Sequence, residues 1–546
     1  RGSAGMLQGS GDLGGTVNMV TKKPKDNFAI SGAATAASWN NYRGDIDISV
    51  PLNQARTLRF RTVDSFQNKN FFYSASEDRK WLAYGALEYD LRPGTTFLVS
   101  HAAQHENVTA NYSGLPTYMD GSLMYSHRSV NPTPPWTTNN WMTQQTLASV
   151  TQKLWRNWEL TAKASIRDQN QHNRDVFALS ALNPENNTLS YSWNRNIGTT
   201  QKWRSADVFL RGTETVFGLE QNFLFGFNYD TVDMVERYGN RGKSNPGYSF
   251  YNPGAVPQVK VPYANGDETL TVQDGFYGPL RLQPFKKFFV ILGGRVSSFN
   301  SKTRDRWPSS PTTWEAGAKA HAKLTPYLGA VYQITPNLSA YASYASIFVP
   351  QTEFTESGKV LPAETGNQIE VGLKGEYYNG RLNVYVAGFR IEDDHRALYD
   401  QAFPNDDFYT SAGKIKTQGW ETEVSGQILP GWDMTAGYTF VEMAYNNPDD
   451  YNFGSGVTPK HSFKLWTHYR VMDGRLKGLS AGIGLNAMSK FSGQSFVING
   501  TDMGPNWQHA YVTLDASVGY RLGAHYTFQL NATNLTLSLI HHCSCR

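Results

Sequence analysis

In Phe223-Leu224-Phe225-Gly226-Phe227-Asn228-Tyr229 every second residue carries an aromatic ring, and Gly226 and Asn228 fall between the rings. Successive side chains of a β-strand point to opposite faces, so this run presents one aromatic face and one small or polar face. Leu382, Val384, Val386 and Gly388 alternate in the same way with Asn383, Tyr385 and Ala387, as do Val512, Leu514, Ala516 and Val518 with Thr513, Asp515 and Ser517. The first set of each reads as facing lipid and the second as facing inward, toward water or a plug. The period of two holds from Phe28 onward through a chain of 546 residues. No apolar run approaches the ~18 residues that a membrane helix requires, so a helical membrane protein is excluded.

Connections between these runs differ by side. Short turns are read at Asn53-Gln54, Arg92-Pro93-Gly94, Arg156-Asn157, Phe285-Lys286, Thr335-Pro336-Asn337, Asn379-Gly380, Leu429-Pro430-Gly431, Asp473-Gly474 and Gly523-Ala524. Long polar loops alternate with them, notably Tyr112 to Thr143, Ala178 to Leu189, Tyr238 to Glu268, Thr303 to Lys323 and Phe496 to His509. Short turns at one end and long loops at the other describe a transmembrane antiparallel β-barrel, all-β in class. A soluble β-sandwich also alternates, but the strand number and the sidedness of the loops argue against it. The count reaches about 21 strands, the last near Tyr526 to Leu535, where an even number such as 22 is the rule.

Composition narrows the function. Aromatic residues make up 13% of the chain, with 30 Tyr and 14 Trp, as interfacial girdles demand. Formal net charge is only +4, without a basic block of about five or six residues, so nothing points to nucleic acid. The two cysteines, Cys543 and Cys545, lie beside His541 and His542 in the tail, with no second cluster to complete a metal site. No HExxH or GxxxxGK[ST] is present, Ser, His and Asp are scattered, and an enzyme has nothing to rest on.

Ahead of the first strand stands RGSAGMLQGSGDLGGTVNMVTKKP, Arg1 to Pro24, rich in Gly and Ser and suited to tight turns and close backbone approach. Its Arg1, Gly2, Gly5, Leu7, Gly9, Gly11, Gly14, Gly15, Val17 and Asn18 resemble the closing motif of the plug domain of TonB-dependent outer-membrane siderophore receptors. Further stretches resemble the same family in order: Leu338 to Gln351, Leu361 to Lys374, Gly419-Trp420-Glu421-Thr422-Glu423 and Thr458 to Ser462. Ile347-Phe348-Val349-Pro350 and Gly366-Asn367-Gln368 stand where haem receptors carry their own boxes, which favours the siderophore branch, of ferripyoverdine and hydroxamate type. Glu370 and Lys374 share a strand face and are expected to make wall-to-plug contacts.

The resemblance implies three parts: residues 1–26 as the end of a plug, 27–536 as the barrel, and 537–546 as an anomalous tail. It implies a fragment that lacks most of the plug and the last strand, and that is not a working transporter as it stands. The implied function is energised import of a ferric siderophore across the bacterial outer membrane. Partners would be TonB with ExbB and ExbD, reached through the missing N-terminal segment, and outer-membrane lipid, for a monomeric receptor with no resident cofactor. Alternatives are a passive porin, a receptor for haem, cobalamin or another bulky ligand, and an adhesin or secretion-type barrel. A ferric chelate is coordinatively saturated, so the site is expected to be a concave aromatic surface rather than a set of metal ligands. The family likeness places it at Tyr118, Trp136, Tyr191 and Trp193, with Tyr112 and Tyr125 beside them.

Overall fold

The computed structural model describes the chain apart from residues 1–8, 12–14, 16, 112–113, 123, 125, 156, 242–244, 308–310, 401, 404–406, 447–455, 499–500 and 537–546. Strands run Ala29–Ala37 (β1), Asn41–Pro51 (β2), Leu58–Asn70 (β3), Glu77–Arg92 (β4), Thr95–Thr109 (β5), Thr138–Lys153 (β6) and Glu159–Asp175 (β7). They continue with Thr188–Tyr191 (β8), Asn194–Val216 (β9), Leu219–Arg241 (β10), Asn245–Ser249 (β11), Asn265–Phe285 (β12), Phe288–Trp307 (β13) and Glu315–Thr335 (β14). Then come Leu338–Val349 (β15), Glu364–Tyr377 (β16), Leu382–Tyr399 (β17), Tyr409–Leu429 (β18), Trp432–Tyr445 (β19) and His461–Arg470 (β20). The last are Leu479–Met488 (β21), Phe491–Ile498 (β22), Thr501–Gln508 (β23), Tyr511–Leu522 (β24) and Tyr526–Ala532 (β25).

Twenty-one of these form one sheet in which each member pairs antiparallel with the next in sequence, passing over β8, β11, β22 and β23. The excluded four make two small hairpin-like pairs, β8 with β11 and β22 with β23. Among the described residues no pairing joins β25 to β1. The strand count therefore agrees with the reading of about 21. Two loop assignments are corrected. β13 runs on to Trp307 and β14 resumes at Glu315, so the supposed loop from Thr303 to Lys323 is mostly strand, its pairing displaced by bulges. The stretch from Phe496 to His509 lies largely within the β22–β23 pair. Among the turns that escaped the sequence reading, Phe217 and Gly218 join β9 to β10 with φ of 51° and 75°. Both central residues of a tight hairpin turn take positive φ, and Phe is not a residue that signals one.

The two faces fall as the alternation requires. Leu87, Val99, Ile166, Val208, Phe225, Phe276, Val296, Ile369, Val371, Val386 and Val518 are exposed and form the outward apolar band. On the intervening positions Ala86, Ser100, Thr161, Tyr277, Arg295, Gln368, Ala387 and Ser517 are buried inward. A barrel wall in lipid has this distribution, apolar outside and polar within.

The inner wall carries its own bonding. Glu370 accepts a hydrogen bond from the Tyr341 hydroxyl, and Lys374 lies over the Tyr341 ring at 4.4 Å. The two charges expected to reach across to a plug are thus engaged with a wall tyrosine. Gly372 lies between them, directly beneath that ring. A Cβ added there would come 2.8 Å from Tyr341 Cε1 and 2.5 Å from the Val386 carbonyl oxygen. Gly372→Val is expected to cost about 1–3 kcal/mol by overpacking, read as a lower unfolding midpoint in denaturant; an unchanged midpoint would show that the ring does not hold this position.

Residues 9–11 and 17–27 lie on the inward face. Gly11 donates its N–H to the Phe348 carbonyl at 3.2 Å, and the Ser10 hydroxyl bonds Gln273. Farther on, Lys22 pairs with Asp47 at 2.8 Å, the Lys25 amide donates to Ser49 Oγ at 2.7 Å, and Asp26 meets Arg59 at 3.3 Å. The segment therefore touches β2 and β3 near its end and β12 and β15 near its start. Contacts of one short stretch with strands so far apart in the sheet require the sheet to curl around it.

Candidate ligand-binding site

Three loops at the long-loop end fold into a common core. They are the connections β5–β6, β7–β9 and β10–β12, and their tie is the β8–β11 pair, Thr188 to Tyr191 against Asn245 to Ser249. Met124, Val176, Leu182, Leu189, Tyr191, Phe250 and Val256 are buried together, with Tyr118, Val130, Trp136, Ala178 and Tyr248 packed against them. Backbone bonds stitch the same loops: Leu182 N–H to the Thr117 carbonyl at 2.8 Å, and Phe250 N–H to the Asn187 carbonyl at 2.9 Å.

The aromatic residues expected at the ligand divide by environment. Tyr191 is wholly buried; its hydroxyl donates to the Pro132 carbonyl at 2.6 Å, and it meets Tyr248 edge-on with centroids 6.4 Å apart. Burial raises its phenol above the ordinary range. Trp136 is half-buried and donates its indole N–H to the Val256 carbonyl at 2.9 Å. Tyr118, also half-buried, sits on the rim of the core beside a parallel bridge to Leu182. Trp193 is 37% exposed. Tyr112 and Tyr125 lie outside the described residues. The structure thus brings Tyr118, Trp136 and Tyr191 into one cluster, with Trp193 adjoining it in sequence and open to solvent.

Beside this core, on the inward side of the strand ends, lies a cavity of about 560 Å³ lined by Asn139, Asn173, Asp175, Phe177, Leu179 and Arg195, among others. Arg195 holds Asp175 through two bonds of 2.6 and 2.7 Å and lies over the Phe177 ring at 4.7 Å. A cation on an aromatic face beside a polar wall suits a bulky ligand with carbonyl and charged groups. Deeper down the wall, Arg167 covers Trp203 at 4.5 Å. Sequence reasoning did not find the Asp175–Arg195 pair. The two residues face each other only because β7 pairs with β9 and skips β8, and no local pattern reports that. Among the described residues no group of three His, Cys, Asp or Glu could hold a metal ion.

The family described as TonB dependent receptor-like, β-barrel matches residues 23–535. The chain belongs to that family. It is an outer-membrane β-barrel, and the strands, faces and turns described above are those of a TonB-dependent receptor barrel. Among relatives, the ferric-pyoverdine receptor PbuA of a Pseudomonas species is 28% identical over 98% of this chain and 66% of that protein. The ferripyoverdine receptor of Pseudomonas aeruginosa is also 28% identical, with the same coverage. The chain thus spans 66% of the length of these relatives. The crystal structure of the P. aeruginosa receptor bound to ferripyoverdine superposes with a TM-score of 0.89 at 25% identity, covering 98% of this chain and 71% of that one.

Proposed function

We propose that this barrel belongs to an importer of a ferric siderophore, driven through TonB with ExbB and ExbD. The likeness of nearly the whole chain to ferripyoverdine receptors carries this reading. The site geometry agrees with it, because an aromatic rim beside a polar cavity suits a large, saturated chelate that needs stacking and a few donors. Iron is then cargo inside its chelator, with no resident cofactor required, and the receptor works as a monomer. Trp193, Trp136 and Tyr118 offer ring surface to the ligand, and Tyr191 fixes the loops that present them.

In the receptor that carries this barrel, Trp136→Ala with Trp193→Ala is expected to lower uptake of the cognate ferric siderophore by about tenfold, on the scale of two lost stacking contacts. Ferric ion alone should show no saturable binding. If the double variant transports every ferric siderophore normally, the rim does not bind ligand. The luminal residues 9–11 and 17–27 weigh against a passive porin, whose lumen is open; steady single-channel conductance without ligand would restore that reading.

A further inference from the structure

Three cations lie over three aromatic rings on the inward face of one strand pair. At the mouth Arg195 of β9 covers Phe177, just past the end of β7, at 4.7 Å. Farther down, Arg167 of β7 covers Trp203 of β9 at 4.5 Å, and below that Lys163 of β7 covers Phe209 of β9 at 5.0 Å. All six stand at odd positions, which alternate with the lipid-facing Ile166 and Val208 and share the face of the buried Thr161. The register sets them in a line: Asp175 opposes Arg195, Arg167 opposes Trp203, and Lys163 opposes Asp207. At the rise of a strand the first two pairs are about 26 Å apart along β9, and the next two about 13–20 Å.

The line joins two cavities. Its upper end is the cavity of Asp175 and Arg195 beside the loop core. Its lower end, at the short turns, is a second cavity of about 560 Å³ whose lining includes Lys153, Glu159, Arg211 and Arg281. Between them the same face carries amides and hydroxyls, among them Gln169 opposite Gln201 and the hydrogen-bonded pair Ser165 and Ser205. The described luminal residues 9–11 and 17–27 bond instead to β2, β3, β4, β12 and β15.

The acids along the line are engaged. Asp175 is held by Arg195, Asp207 accepts from the Tyr277 hydroxyl at 2.7 Å, and Glu159 pairs with Arg211 at 2.7 Å. Asp230 and Glu236 flank the line on β10, opposite Ser205 and Thr199. Among the described residues neither Arg167 nor Lys163 forms an ion pair. Arg167 donates from Nη2 to Gln169 at 3.0 Å, and its buried Nε has no hydrogen-bond partner.

We propose that the inward face of β7 and β9 is the path along which the ferric chelate crosses the barrel, each cation–ring pair being a station on it. A ferric chelate exposes carboxylate or carbonyl oxygens, which meet the cation, and planar chelating groups, which meet the ring. Several weak stations let a ligand enter and leave again, whereas one tight site would trap it. The cation at the mouth is neutralised by Asp175 and the two deeper ones have no such acid, so the attraction rises inward. The proposal rests on the ferric siderophore reading and extends it from the rim into the lumen.

The test separates binding from passage in cells that carry the receptor with this barrel. A panel of radio-iron chelates, ferripyoverdine with hydroxamate and catecholate complexes, first identifies one that the wild type imports. Surface binding of that chelate is measured in energy-depleted cells, and saturated uptake in energised ones. Arg167→Gln with Lys163→Gln should leave surface affinity within about twofold and lower saturated uptake about tenfold. Arg167→Lys with Lys163→Arg should restore uptake. Lys464→Gln removes a cation on the inward face of β20, across from Asn486, which opposes Thr513, and it should change neither quantity. Normal surface binding certifies folding; where the double variant lacks it, Arg167→Gln is read in its place, with a fall of about threefold expected. Unchanged uptake, or an equal fall in Lys464→Gln, overturns the path. So does a rise in single-channel conductance with uptake intact, which would mean that the two cations hold a plug in place. Failure of the wild type to import any chelate of the panel would instead overturn the importer reading, and the path with it.

Discussion

Tyr191→Ala is expected to release the loop cap while leaving the barrel intact. The side chain is wholly buried at the centre of a core drawn from three loops, and its removal leaves both a cavity and an unpaired Pro132 carbonyl. Truncating a buried aromatic costs about 3–5 kcal/mol, which converts to a loop opening at least a hundredfold more frequent. Hydrogen exchange over residues 126–137 and 176–192 should rise accordingly, and ligand affinity should fall with it, while heat-modifiable migration of the barrel stays as it was. Tyr191→Phe keeps the ring and loses one hydrogen bond, about 1–3 kcal/mol. A pH dependence follows from the same burial. The phenol is raised in the folded loops, so its contribution is fully present below the unfolded value of about 10 and is lost as pH rises toward the folded one. Loosening that begins above about pH 10 in the wild type should be absent in Tyr191→Phe. Unchanged exchange in Tyr191→Ala would mean that the loops are held by something other than this core.

Much of the barrel was legible because its signal is local. Alternation at Phe223 to Tyr229 or Val512 to Val518 assigns faces without knowledge of any partner, and Leu429-Pro430-Gly431 states its turn in its own residues. Where the signal is not local, reading stopped. Phe217-Gly218 turns because two long strands leave no alternative, and the ring at Phe217 is fully exposed rather than turn-forming by type. Aromatic loops were visible as composition, yet nothing in the sequence tells that Tyr191 faces Pro132, fifty-nine residues away, or that Trp136 reaches Val256. Phe250 and Val256 drew no notice because a core assembled from three loops has no period. The Asp175–Arg195 pair is hidden for the related reason that β8 leaves the sheet between them. Sequence thus reports which residues can face a ligand, and the register between distant strands decides which of them support the others.

Asp47→Ala is expected to free the luminal segment from the wall. Asp47 on β2 accepts from Arg61 at 2.8 and 2.7 Å and from Lys22 at 2.8 Å, and the Asp47 and Arg61 side chains are only 16% and 12% exposed. Arg61 in turn donates to the Lys23 carbonyl at 2.7 Å, and Tyr84 donates to the Lys22 carbonyl at 2.7 Å. One carboxylate therefore organises two cations and, through Arg61, the backbone of the segment. Removing one partner of a sheltered ion pair strands the other, at about 2–4 kcal/mol here, since the site is shielded but not dry. The Lys25 amide, which bonds Ser49, should exchange roughly 30- to several-hundred-fold faster. Asp47→Leu with Arg61→Met should lose less than Asp47→Ala alone, because an apolar pair leaves no orphaned charge. If exchange at Lys25 does not change, the segment is held by its backbone contacts and not by Asp47. If it does, the stretch around Lys22 is a fixed point on the wall at β2 and β3.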